Sequence, residues 1–192
     1  RLPIFMIPYT IRLEFNKRFH NKYVVFKFNH WNSKHPQGML VQTVGNVTKL
    51  SNFYEYQLYC KSLYASIQNF NKATMRALKT KSEAEFIDHI RTTYDVEDRQ
   101  DWDIISIDPL NSKDFDDAFG VKELDNKFVL SIYIANVSFW MDTLNLWSSF
   151  SQRISTIYLP DRKKPMLPTI LSDALCSLLE NRRRFAFTLD LV

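Results

Sequence analysis

IISIDPLNSKDFDDAFG, residues 104–120, is the stretch on which the fold and the chemistry of this chain turn. Ile104, Ile105 and Ile107 form an apolar, β-branched run, and Pro109 discourages a strand from continuing, so Asp108 is expected at a strand end. Three more carboxylates follow, Asp114, Asp116 and Asp117. In an extended segment residues i and i+2 share a face, so Asp114 and Asp116 point together and Asp117 points elsewhere. Four converging carboxylates repel one another, which is relieved either by protonating some of them or by binding a divalent cation. An all-oxygen donor set favours a hard ion, Mg²⁺ or alternatively Mn²⁺. Such an ion activates water and stabilises charge on a phosphoryl oxygen, so the stretch points to metal-dependent phosphodiester chemistry. A solvated acidic loop has the same composition. A calcium loop does not: an EF-hand begun at Asp108 needs Gly and Glu where Lys113 and Phe119 stand.

The residues downstream separate the alternatives. IDPLNSKDFDDA (107–118) resembles the signature of the ribonuclease II-type exoribonucleases, the RNB family that includes ribonuclease R and the catalytic subunit of the eukaryotic exosome. The likeness continues in order through IYIANVS (132–138), Arg153 with STIYLPDR (155–162), PMLP (165–168) and LSDALCSL (171–178). The resemblance implies a 3′→5′ exoribonuclease that hydrolyses single-stranded RNA to nucleoside 5′-monophosphates. It implies Asp108, Asp114 and Asp117 as holders of Mg²⁺, directly or through water, and Asp116 as the carboxylate whose loss stops chemistry while leaving RNA binding. Tyr158 falls at a position expected to stack near the RNA 3′ end, and Arg153 is expected either to contact phosphate or to pair with a carboxylate of the fold. Single-stranded RNA is the implied partner, with an exosome-like complex as a further one, in the cytoplasm or nucleus.

The sequence departs from the family pattern in places. Asn136 stands where the family usually has Asp, and Phe139 where it often has His, so a polar contact behind the metal site is expected to weaken. The family's domain and its downstream arginine-bearing segment extend past Val192, so the chain reads as a fragment that is inactive or poorly stable alone. A catalytically silent RNA-binding relative is the competing reading. The intact aspartates oppose it, and Asn136 and Phe139 favour it.

The whole chain sets bounds on these readings. At 192 residues it accommodates one large domain or two small ones, and 45% hydrophobic content excludes a disordered segment. No apolar run reaches spanning length and no signal peptide opens the chain, so no membrane role is expected. A net charge of +4 beside an acidic cluster places the basic residues elsewhere, which suits a polyanion groove. Cys60 and Cys176 lack ligand spacing and are expected as buried, reduced thiols. Three glycines are too few for a Gly-rich nucleotide loop, so no nucleotide cofactor is expected.

The fold class expected is α+β. Residues 1–62 carry short β-like runs (4–13, 23–28, 39–44) and read as a small OB-like, cold-shock-type barrel, which WNSKHPQGMLVQTVG (31–45) also resembles. Residues 63–100 read as a helical connector, polar and basic over 69–81, with Ser82 and Glu85 marking a helix start. Residues 101–192 read as the N-terminal part of the RNB catalytic domain. Strands are expected at 118–124 and 127–137 around an Asp125-Asn126 turn, with helices at 144–154 and 170–179. Trp147 and Phe150 are expected on the buried side of the first of these helices. A last strand is expected through Phe185, Phe187, Leu189 and Leu191, and Arg182–Arg184 as a solvated turn.

Overall fold

The computed structural model describes residues 2–9, 20–150 and 153–192, in two units, Arg1–Tyr64 and Ala65–Val192. In the first, β1 (Lys22–His30) pairs antiparallel with β2 (Gln37–Asn46), and register shifts along the pair curl the hairpin. Met6 adds a short parallel bridge beside Gln37, donating its N–H to Pro36 O at 2.9 Å. Helix α1 (Leu50–Cys60) is held to the hairpin by Tyr56 stacked on Tyr23, ring centroids 4.5 Å apart, and by the Asn52 amide donating to Asn46 O at 3.0 Å. The OB-like module expected over 1–62 is represented among the described residues by this hairpin, the Met6 bridge and α1. Residues 10–13 of the expected first strand lie outside the described residues. Cys60, expected buried, is exposed because it lies in the open last turn of α1.

The second unit is built around Phe70, Phe86, Ile90, Trp140, Met141 and Leu171, which share one apolar cluster. Helix α2 (Gln68–Ala77) lies within the stretch read as a helical connector, over most of its polar, basic part. Its apolar stripe is narrow: Phe70 and Thr74, four residues apart, are buried while Lys72 and Arg76 face outward. Helix α3 (Glu83–Thr93) starts as expected, with Ser82 Oγ accepting from Glu85 N and the Glu85 carboxylate accepting from Ser82 N at 2.8 Å.

A four-stranded antiparallel sheet follows, in the order β3 (Ile104–Ile105), β4 (Asp117–Leu124), β5 (Lys127–Ala135), β8 (Ala186–Leu191). Asp125 and Asn126 both take positive φ, 49° and 61°, as a tight hairpin requires. Gly120 lies opposite Ile104, and a Cβ there would sit 2.6 Å from Asp103 O, so only glycine lets β3 approach β4 this closely. The alternation along β5 holds, but its buried face is Val129, Ser131 and Tyr133. Phe128, Leu130, Ile132 and Ile134 lie on the other face with Phe187 and Leu189 of β8, and there Phe128 and Phe187 are each 70% exposed.

The helix expected at 144–154 is displaced. Helix α4 spans Val137–Thr143, capped by Asn136, whose side-chain oxygen accepts from Phe139 N, and it buries Trp140 and Met141. Asn145 turns the chain at φ 50°, leaving a single 3₁₀ turn at Trp147–Ser149 with Trp147 52% exposed rather than buried. Residues 151–152 lie outside the described residues. A short hairpin, β6 (Ile157–Tyr158) with β7 (Lys163–Lys164), precedes a π-helix at Ile170–Leu175, wider and shorter than the helix expected there. Arg184 is not solvated. Its guanidinium donates to Ser177 O at 3.0 Å and pairs with Glu83 at 3.2 Å.

Candidate active site

Three elements meet around the aspartates. Asp108 follows β3, Asp116 and Asp117 enter β4, and the loop carrying Asp114 lies against the segment after the π-helix. Ser177, fully buried, holds that loop: its Oγ accepts from Phe115 N at 2.9 Å and donates to Lys113 O at 3.4 Å. The next residue of the same segment donates from Leu178 N to Phe115 O at 2.8 Å. From the other side Ala135 N, at the end of β5, donates to Asp116 O at 2.8 Å. The backbone on both sides of Asp114 and Asp116 is therefore fixed by partners distant in sequence, while the carboxylates stay available.

Asp114 and Asp116 line one small cleft of about 80 Å³, together with Thr156, Lys163, Met166 and Cys176. Liquid water occupies about 30 Å³ per molecule, so the cleft has room for an ion and a few waters but not for a nucleotide. The Asp116 carboxyl is held above the ordinary carboxylate range, first by partial desolvation and then by the negative charges of Asp114, Asp117, Asp108 and Asp173. The other three sequence-predicted aspartates thus lie near enough for their charges to act on Asp116. Asp173, in LSDALCSL, is a fifth carboxylate that the spacing around residues 108–117 gave no means of finding. Asp108 Oδ2 is buried with no hydrogen-bond partner among the described residues. A buried carboxylate oxygen in that state is costly unless a cation meets it.

The donor set is therefore hard oxygen and over-supplied with negative charge, which fits Mg²⁺ or Mn²⁺. Among the described residues no three acidic, histidine or cysteine side chains already form a metal cage. Lys163 supplies positive charge instead: its Nζ stands 3.4 Å from Asp114 Oδ2 and 3.8 Å from Asp173 Oδ2. Cys176 is no competing ligand, since burial pushes its thiol up to about 12.

Tyr158 sits on β6 directly opposite Lys163 and is 75% exposed, its ring open for a stacking partner. Arg153 makes two contacts within the fold. It donates from Nη1 to Pro165 O at 2.8 Å and from Nη2 to Ala65 O, so two of its donors brace the backbone. Asn136 is the N-cap of α4, and Phe139 stacks on Tyr94 with centroids 4.1 Å apart. Both departures from the family pattern thus have packing roles here.

The family model described as RNB domain matches residues 96–192. Ribonuclease R of Ureaplasma parvum serovar 3 is 47% identical over 95 residues, 48% of this chain and 13% of that protein. The "Probable exosome complex exonuclease RRP44" of Caenorhabditis elegans is 29% identical over 169 residues, 86% of this chain and 17% of that protein. The chain therefore spans less than a fifth of the length of either relative. A solved structure of Mycoplasma genitalium RNase R, in complex with ribose methylated single-stranded RNA, shares the fold with a TM-score of 0.72 at 23% identity, over 97% of this chain and 28% of that one. With its second unit built on the aspartate loop and the matched residues covering half its length, this chain belongs to the RNB domain family.

Proposed function

We propose that the protein is a metal-dependent 3′→5′ exoribonuclease that releases nucleoside 5′-monophosphates from single-stranded RNA. The observation that carries this reading is that Asp114 and Asp116 line one cleft and that the charges of Asp114, Asp117 and Asp108 act on Asp116, with Asp108 Oδ2 buried and without a hydrogen-bond partner among the described residues. Asp108, Asp114 and Asp117 would hold Mg²⁺, with Mn²⁺ as an alternative. When bound, the ion supplies an activated water and stabilises charge on the phosphoryl oxygens. Asp116 stands at the centre of the charge cluster and orients the attacking water. Tyr158 stacks on a base near the 3′ end, a contact worth roughly 1–3 kcal/mol. Arg153 supports the pocket wall through the Ala65 and Pro165 carbonyls rather than gripping phosphate. The likeness to the nematode exosome exonuclease adds an exosome-like assembly as a proposed partner, with an intracellular site of action. Among the described residues no helix is long and apolar enough to cross a membrane.

The catalytically silent RNA-binding relative is favoured by one observation, the lack of a ready-made metal cage among the described residues. The two readings part in one experiment. Full-length protein is incubated with single-stranded RNA labelled at its 5′ end, with Mg²⁺ or with EDTA, beside an Asp116→Asn variant. The nuclease shortens RNA from the 3′ end only with metal, and the variant loses this by at least a hundredfold while still binding RNA. Tight binding with no shortening under any divalent ion establishes the silent relative.

A further inference from the structure

Lys163 is placed where a functional cation would compete with it. It lies on β7, a two-residue strand in a hairpin of its own, and its ammonium bridges a carboxylate of the aspartate loop and one of the π-helix. Both contacts are long for ion pairs, 3.4 Å and 3.8 Å, and all three side chains are 22–34% exposed. Such pairs are weak, so they can be exchanged rather than locked. Lys163 also lines the same cleft as Asp114 and Asp116.

We propose that Lys163 is a tethered counter-cation. In the metal-free chain it neutralises Asp114 and Asp173, and a divalent ion must displace it to gain Asp114. Its presence therefore sets the metal affinity of the site lower than the aspartates alone would give. The proposal rests on the metal-site reading above and adds to it a residue that opposes the metal. Lys163 is a positioning residue: it acts through Asp114 and touches no reacting atom.

The test is Mn²⁺ binding to the full-length protein, read by the loss of free-ion EPR signal in the absence of RNA, so that turnover plays no part. Lys163→Met is expected to bind Mn²⁺ roughly three- to tenfold more tightly than wild type, because a unit positive charge about 4 Å from a ligand is removed in a partly wetted site. Lys163→Arg is expected to stay near the wild-type value, and Lys127→Gln, the same charge loss at a distant turn, to change nothing. Circular dichroism of each variant checks the fold. Unchanged or weaker Mn²⁺ binding by Lys163→Met overturns the proposal. If that variant instead loses RNA affinity in EDTA, Lys163 is a phosphate contact. Absence of Mn²⁺ binding in wild type and Lys163→Met alike overturns the metal-site reading itself, an outcome distinct from the others.

Discussion

Ser177 touches no aspartate side chain, yet it accepts from the amide of Phe115 between two of them and donates to the carbonyl of Lys113. Replacing it with alanine leaves the Phe115 N–H without that acceptor, a loss of about 1–3 kcal/mol if the amide stays buried. Ser177→Ala is therefore expected to raise amide hydrogen exchange across residues 113–117 by one to two orders of magnitude, with the rest of the sheet unchanged. Equal protection in both proteins would mean that the loop is held from elsewhere. The serine was visible in the sequence as part of LSDALCSL, but its partner was not, since the hydrogen bond spans 62 residues. The aspartates themselves were legible because their spacing carries the chemistry. Arg184 was misread because a side chain in a basic run can equally be spent on a backbone carbonyl and a distant carboxylate.

At the scale of elements, local signals located what local physics determines. The Ser82–Glu85 capping box and the Asp125-Asn126 turn formed where their residue types require. Helix α4 began earlier than expected because Asn136 caps it and Asn145 terminates the segment, whereas Trp147 and Phe150 suggested burial by their size alone. Helix α2 falls inside the expected helical connector, and tertiary packing of Phe70 and Thr74 holds it there despite a polar composition. The short strand β3 depends on Gly120. A Cβ at that position meets backbone, not a movable side chain, so the strand must shift. Gly120→Ala is expected to cost about 1–3 kcal/mol, seen as a lower urea midpoint, and to weaken Mn²⁺ binding because β3 leads into Asp108. Wild-type stability in that variant would show that β3 contributes little to the site.

Over the whole second unit, Arg99 ties the chain before β3 to the edge strand β8. It forms two bonds to Asp190, at 2.8 Å and 2.7 Å, above a Trp102 ring 4.3 Å away. Hydrogen bonds from Arg99, then from Ser131, hold the Asp190 carboxyl at about 2, against an ordinary value of 3.8. A depressed carboxylate adds stability that is complete above its unfolded pKa and is lost as pH falls through the folded one. With Asp190 partly exposed, the contribution is about 1 kcal/mol after screening. Wild type is therefore expected to lose this much more than Asp190→Asn between about pH 4 and pH 2 in urea melts, and parallel acid curves would remove Asp190 from the account. The α+β class was legible in the sequence because strand and helix periods are local. The face of β5 that would be buried was not, because alternation alone does not say which side meets the core.

That face has a consequence for the substance in the test tube. Phe128, Leu130, Ile132 and Ile134 continue across onto Phe187 and Leu189 of β8, the last strand of the sheet order. This strip is wetted poorly and ends on β8, which among the described residues is an edge strand of the sheet. The second unit, which carries more carboxylates than basic side chains, is thus two-sided, and salt that screens its charges leaves the greasy side to govern solubility.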